Sequence, residues 1–285
     1  MRLPSGASLV AGVAGSPVSH SLSPAIHTAW LSDLGLDGLY VPFPVPPGRF
    51  EAFVEGLRGQ VVRGLNVTLP FKEEALRLAD RSTARAQAAG AANLLIFSPD
   101  GAIEADNTDG LGVLEAFAEQ APGLDLRSGP VVILGAGGAS RGAAATLLEA
   151  GCPQVRIVNR TLSRAEEIAA YLGPPVEALP LEHLRQALGD ACAIINATSA
   201  GLAGGEGLDI PFSAAPPSAV VLDMTYKPLR TPLLQAAQAS GLRTVDGLAM
   251  LVGQAKPSFE AFFGTRPPEA TDVRKIVLQR LESKP

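Results

Sequence analysis

Val131-Val132-Ile133-Leu134 is an apolar run of strand length that leads directly into Gly135-Ala136-Gly137-Gly138-Ala139-Ser140 and then into an Ala/Leu-rich stretch over residues 141–150. A buried strand, a glycine turn and a helix in that order aim the backbone N–H groups of a helix N-terminus at the place a pyrophosphate would occupy. This commits the segment to a nucleotide-binding α/β layer. Ser140 stands where the pattern has its third glycine, and serine is still small enough for helix and strand to approach closely. The next apolar run, Val155-Arg156-Ile157-Val158, ends in Asn159-Arg160-Thr161, with Arg164 one turn further on. A chain that binds NAD usually carries an acid there, roughly 20 residues past the glycines, to bond the ribose 2′-hydroxyl. Two arginines replace it. Their planar forks suit a 2′-phosphate, so the expected cofactor is NADP (NADPH). The plainer reading of Arg160 and Arg164 is a solvated helix start with Thr161 as its N-cap.

At 285 residues and 47% hydrophobic content the chain has room for one large or two medium domains with sizeable cores. A formal net charge of -5 and the absence of a long basic run argue against a nucleic-acid partner, which needs a basic face. Cys152 and Cys192 lie far apart in sequence, and neither they nor His20 and His27 stand at metal-ligand spacing, so no metal site is expected. Pro4, Ser5 and Gly6 break up the N-terminus too soon for a signal peptide, and no run reaches the ~18 apolar residues of a membrane span. The expectation is a soluble, cytoplasmic chain with no membrane partner.

Short apolar runs alternate with helical stretches throughout, which is the pattern of α/β layers with mostly parallel sheets. Strands are expected over residues 8–13, 38–43, 64–68, 92–97 and 102–105, the last two joined by the turn Ser98-Pro99-Asp100-Gly101. Helices are expected from Ser23-Pro24, with serine as N-cap and proline in the first helical position, over residues 49–57, and from Pro70. A helix over residues 109–119 precedes the nucleotide half, whose further strands fall at residues 193–196, 220–223 and 243–246. The Gly/Pro/Ser-rich loop over residues 201–217 reads as surface or lid material. The expected fold is therefore two α/β domains. An N-terminal, mostly parallel-sheet substrate domain spans residues 1–109 and is completed by C-terminal helices over residues 247–285; a Rossmann-type NADP-binding domain spans residues 110–246.

Four polar clusters sit at element ends: Ser19-His20-Ser21-Leu22-Ser23-Pro24, Asn66-Val67-Thr68-Leu69-Pro70-Phe71-Lys72, Asn107-Thr108-Asp109-Gly110, and Gln254 in Met250-Leu251-Val252-Gly253-Gln254-Ala255. Hydroxyls, amides, one amine and one carboxylate suit a small polyol. Lys72 and Asp109 form the obvious acid/base pair, because a dehydrogenase must move the alcohol proton while its cofactor takes the hydride. Each residue also has a structural reading. Ser23 can serve as a helix cap, Asn66 and Thr68 as partners for strand-end backbone, Asp109 as a carboxylate at a helix N-terminus, Lys72 as a solvated helix residue and Tyr226 as a packing aromatic.

Taken together and in this order, the clusters resemble the shikimate dehydrogenase family over residues 15–263. The resemblance implies reversible NADP-dependent oxidation of shikimate to 3-dehydroshikimate, a step of aromatic amino-acid biosynthesis, by a monomer or homodimer. It assigns Ser21 and Ser23 to the substrate carboxylate and Asn66, Thr68, Lys72, Asn93, Asp109 and Gln254 to the substrate pocket, with Lys72 and Asp109 as the catalytic pair. Gly135, Ala136, Gly137, Gly138 and Ala139 match the pyrophosphate loop. Asn159, Arg160, Thr161 and Arg164 match the clamp on the NADP phosphate. Asn196-Ala197-Thr198-Ser199-Ala200-Gly201 and Tyr226 match stretches near the nicotinamide, where Thr198 and Gly247 count as cofactor residues and Tyr226 as a substrate residue. The chain departs from the family pattern at Leu94, usually threonine, and at Ala105, commonly glycine. Leu94 removes a hydroxyl that could orient Asn93. A quinate or aminoshikimate dehydrogenase on the same fold is the nearest alternative, and a non-catalytic NADP-sensing protein is the alternative from another class.

Overall fold

The computed structural model describes residues 3–198 and 209–282. The chain divides into two compact units, residues 1–108 with 254–285 and residues 109–253. Both are α/β.

In the first unit β1 (Leu9–Gly15), β2 (Gly38–Pro44) and β3 (Val62–Val67) alternate with α1 (Ser23–Asp33), α2 (Phe50–Glu55) and α3 (Lys72–Leu78). Then come β4 (Arg81–Ser82), α4 (Ala84–Ala89), β5 (Leu94–Phe97) and β6 (Ile103–Asp106). The six strands form one mixed sheet in the order β2-β1-β3-β5-β6-β4. β1 runs parallel to β2 and β3, whereas β5 is antiparallel to β3 and β6. The switch of direction follows from the Ser98–Gly101 turn, where Gly101 takes φ +87 and the Ser98 N–H donates to the Ala102 carbonyl at 2.9 Å. Strand β4 and helix α4 are absent from the sequence expectation because a two-residue edge strand leaves no periodicity. Their boundary signals are nevertheless present: Thr83 caps α4 by accepting from the Ala86 N–H, and Gly90 closes it in the left-handed conformation.

The second unit begins with α5 (Asp109–Gln120) and holds β7 (Val131–Leu134), α6 (Gly138–Glu149), β8 (Val155–Val158), α7 (Leu162–Leu172), β9 (Val176–Leu179) and α8 (Leu184–Ala187). It continues through β10 (Ala193–Asn196), β11 (Val220–Asp223), α9 (Pro232–Ala239) and β12 (Arg243–Val245). All six strands are parallel, in the order β12-β11-β10-β7-β8-β9. This is the doubly wound Rossmann order, which reverses between β7 and β10, where such sheets bind ligands at their strand carboxyl ends. The strands are apolar at nearly every position because both faces are covered. Val131, Ile133, Ala193, Ile195, Val220 and Leu222 pack with Val113, Ala143 and Leu147 on one face. On the other, Val132, Leu134, Ile194 and Val221 pack with Leu184, Leu188 and Leu234. β9 and α8 are four residues long and leave no periodicity, whereas α9 carries a start signal in Thr231 as N-cap and Pro232 in the first helical position. The final helices are α10 (Gly247–Phe263), whose early turn packs on α5 where Gly253 meets Gly112 and Glu115, and α11 (Val273–Glu282). No helix among the described residues is long and apolar enough to cross a membrane, and no cluster of His, Cys, Asp or Glu among them could hold a metal ion.

His27 of α1 lies fully buried in the first unit, stacked on Tyr40 at 3.9 Å and edge-on to Trp30 at 5.6 Å. Neither ring nitrogen has a partner among the described residues, and burial lowers its pKa from 6.5 to about 3. The unfolded chain therefore takes up a proton as pH falls through 6.5 while the folded chain does not until about pH 3, so stability is lost across that window. His27→Phe should flatten this acid limb, losing about 2 kcal/mol less than the parent between pH 7 and pH 5 in urea unfolding. Parallel pH profiles for the two proteins would show that this imidazole is not linked to folding.

Candidate active site

The carboxyl end of β3, the start of β5 and the turn after β6 are tied into one hydrogen-bonded network within the first unit. Asn93 donates through Nδ2 to Thr108 Oγ1 at 3.0 Å and to Gln254 Oε1 at 2.9 Å, and its Oδ1 accepts the Thr108 N–H at 2.8 Å. The Thr108 hydroxyl has two acceptors within reach, the Gln254 carbonyl at 3.1 Å and Asn93 Oδ1 at 3.2 Å. Both Asn93 amide protons are thus committed within the protein. Asn93 is oriented by Thr108 without a hydroxyl at Leu94. Gln254, its Oε1 occupied, presents its Nε2 donor pair. Asn66 is held the opposite way: Nδ2 donates to the Asn93 carbonyl at 3.2 Å and to Ser258 Oγ at 2.8 Å, while Oδ1 accepts the Tyr40 hydroxyl at 2.7 Å. One oxygen lone pair of Asn66 remains.

Several of the other predicted substrate residues adjoin this network in the chain or through backbone bonds. Ser23 is not the helix N-cap that its sequence context suggested. The helical ladder starts from the Leu22 carbonyl, which accepts from Ala25 and Ile26, and Pro24 sits inside the first turn. Leu22 holds the N-cap position without a side-chain cap bond; the Ser23 N–H donates to Ser21 Oγ at 3.3 Å in the turn before the helix, and the Ser23 hydroxyl hydrogen-bonds Tyr40. Thr68 follows β3, its N–H donating to the Ala14 carbonyl at 3.0 Å. Lys72 opens α3, two residues later than the expected helix start at Pro70, and its carbonyl accepts the Ala92 N–H at 2.8 Å next to Asn93. Asp109 is the residue after Thr108; it opens α5 in the second unit and is only 3% exposed.

The glycine turn in the second unit meets the demands of a phosphate cradle. Gly135 has φ +103, and a Cβ there would lie 3.0 Å from Thr198 Cγ2 and 3.2 Å from the Ala197 carbonyl oxygen. Gly137 is the N-cap of α6, and a Cβ added to it would meet nothing within 4 Å, so its backbone faces open space. The helix N–H groups of Gly138, Ala139 and Ser140 have no intrahelical acceptor. Ser140, fully buried, fits the third glycine position and its Oγ accepts the Gly137 N–H at 3.4 Å. Past β8, Asn159 Nδ2 donates to the Thr161 carbonyl at 2.8 Å, shaping the turn that carries Arg160. Thr161 occupies the N-cap of α7, as its sequence context suggests, without making a side-chain cap bond. Arg160 and Arg164 are exposed, and no side chain among the described residues pairs with either guanidinium.

Sequence reasoning missed a second buried network, at the ends of β10 and β11. Thr198 donates through its N–H and Oγ1 to Asn196 Oδ1 at 3.1 and 2.7 Å, and Asn196 Nδ2 donates to Asp223 Oδ1 at 3.0 Å. Asp223 also accepts the Thr225 N–H at 3.0 Å and the Thr231 hydroxyl at 2.7 Å. An acid closing an all-apolar strand was the available signal. The network holds Thr198 and the segment leading to Tyr226, whose phenol burial pushes up in pKa. Gly247 fixes the same segment, since a Cβ there would fall 2.5 Å from the Met224 carbonyl oxygen. Ser199, Ala200 and Gly201, with the start of the loop they begin, lie outside the described residues. Asp223→Ala should cost about 3 kcal/mol in urea unfolding by stranding two buried donors, Asn196 Nδ2 and the Thr231 hydroxyl, and the part-buried Thr225 N–H. Unchanged stability would mean that the carboxylate does not organise these strand ends.

Comparison with known proteins agrees with this geometry. The sequence profile of the shikimate dehydrogenase substrate binding domain matches residues 13–95, and that of shikimate / quinate 5-dehydrogenase matches residues 116–203. Shikimate dehydrogenase (NADP(+)) of Caulobacter vibrioides is 55% identical over 276 residues, covering 97% of each chain. That of Dinoroseobacter shibae is 46% identical over 269 residues, covering 94% of this chain and 97% of its own. Among solved structures, shikimate 5-dehydrogenase from Thermus thermophilus in complex with NADP(H) and shikimate aligns with a TM-score of 0.85 at 37% identity, over 96% of this chain and 99% of that one. Quinate dehydrogenase from Corynebacterium glutamicum in complex with NAD gives the same TM-score at 27% identity, with the same coverage. The two profiles and the 55% identity over nearly the whole length show that the chain belongs to the shikimate dehydrogenase family.

Proposed function

We propose that Lys72 and Asp109 carry the proton chemistry of this chain's reaction, the reversible NADP-dependent oxidation of shikimate to 3-dehydroshikimate in aromatic amino-acid biosynthesis. The observation that carries the reading is the opposed locking of two amides in one unit. Asn66 is left with an acceptor and Gln254 with a donor, which suits a ring bearing several hydroxyls and a carbonyl or alcohol at one carbon. Ser21 and Ser23 supply hydroxyls for the carboxylate, Thr68 a hydroxyl beside Asn66, and Asn93 orients Gln254. Tyr226 is also assigned to the substrate.

Bound NADPH would supply the hydride. Its pyrophosphate suits the N–H groups at the start of α6, with Gly135, Ala136, Gly137, Gly138 and Ala139 allowing close approach. Asn159, Arg160, Thr161 and Arg164 suit the 2′-phosphate, with Thr198 and Gly247 at the other strand ends. In the reducing direction Lys72 Nζ gives a proton to the forming alkoxide oxygen, and Asp109 accepts a hydrogen bond from the adjacent hydroxyl and orients the ring. Both side chains open helices beside residues of the locked network, Lys72 through its backbone bond to Ala92 and Asp109 through its peptide bond to Thr108.

Lys72→Ala should lower kcat by roughly 10²-fold or more while the NADPH dissociation constant stays put. Near-normal kcat with only a raised KM for shikimate would make Lys72 a binding residue and leave the proton to another donor. Arg160→Ala and Arg164→Ala should each weaken NADPH binding by roughly tenfold, with NADH use nearly unchanged, as expected for charge-assisted bonds to the 2′-phosphate. Equal losses with both nucleotides would show that the arginines do not read that phosphate.

A further inference from the structure

Helix α10 carries Pro257 in its interior, so the Gly253 carbonyl receives no N–H from the residue four positions on. One residue further, the Gln254 carbonyl collects two hydroxyl donors, Thr108 at 3.1 Å and Ser258 at 3.3 Å. A mid-helix serine often bonds the carbonyl four residues back. Ser258 does more. It is 0% exposed, and its Oγ also accepts an Asn66 amide proton at 2.8 Å, joining β3 to the turn of α10 that bears Gln254.

The valences of Asn66 decide what this bond achieves. Its two N–H groups go to the Asn93 carbonyl and to Ser258, and its oxygen takes the Tyr40 proton. A flipped amide would set oxygen against the Asn93 carbonyl. Asn66 can therefore only accept from a ligand, and Ser258 takes its second amide proton, holding the amide plane from the other side.

We propose that Ser258 is a positioning residue for the substrate: it fixes Asn66 as an acceptor for a substrate hydroxyl and anchors the turn that carries Gln254. This rests on the assignment of Asn66 and Gln254 to the substrate. The test is a double-mutant cycle of Ser258→Ala and Asn66→Ala, read as KM for shikimate, kcat and NADPH dissociation constant. Ser258→Ala alone should raise KM roughly three- to tenfold, with kcat within about twofold and NADPH binding unchanged. In the Asn66→Ala background the same change should add less than about twofold. Ser258→Cys, close to serine in volume and a weaker acceptor, should move KM in the same direction and carries the test if the alanine variant does not fold. Equal KM effects in both backgrounds, or no KM effect in either, would overturn the proposal. An Asn66→Ala enzyme with unchanged KM would instead overturn the assignment of Asn66, and the positioning role with it.

Discussion

The bond from Asn93 to Thr108 and Gln254 is the constraint on which the substrate unit depends. It joins groups separated by 15 and 161 positions in the chain, a strand start, a turn and a helix that begins in the second unit and passes into the first at Gln254. Buried amides and hydroxyls are costly unless every proton finds an acceptor, so such a network settles into one arrangement. Here that arrangement also decides polarity. Asn66 is left able to accept and Gln254 able to donate, and Lys72 and Asp109 adjoin the same network through backbone bonds.

The nucleotide unit reaches a comparable result by different means. Its sheet is held by apolar burial on both faces, and polarity appears only where the strands end. There Asp223 gathers Asn196, Thr225 and Thr231, and Asn196 in turn fixes Thr198. The Rossmann strand order brings the ends of β7 and β10 side by side, so the glycine turn after β7 and Thr198 after β10 meet, with Gly135 against Thr198. Topology assembles that contact; local sequence supplies the residues.

Much of this was legible in the chain. The glycine turn, the Asn159-Arg160-Thr161 end of β8 and the four polar clusters are local signals, and local geometry makes them. What was not legible came from non-local partners. Ser23 looks like a cap because serine before proline usually is one, yet Leu22 starts the ladder and Ser23 turns to Tyr40 instead. Leu94 looks like a lost orienting hydroxyl, yet Thr108, 15 residues past Asn93, orients the amide without one there. Tyr40, Ser258 and Asp223 each sit within ordinary apolar stretches, and their roles exist only through residues brought to them by the fold.

The central claim is that these locked polar groups and exposed arginines serve one reaction, reduction of 3-dehydroshikimate by NADPH. Initial rates of NADPH oxidation by the unmodified protein, with 3-dehydroshikimate and with 3-dehydroquinate as alternative acceptors, test it most directly. The account predicts turnover of 3-dehydroshikimate with kcat/KM at least roughly tenfold above that for 3-dehydroquinate, whose extra ring hydroxyl must be desolvated without an assured partner. Comparable turnover of the two acids, or turnover of neither, would contradict it.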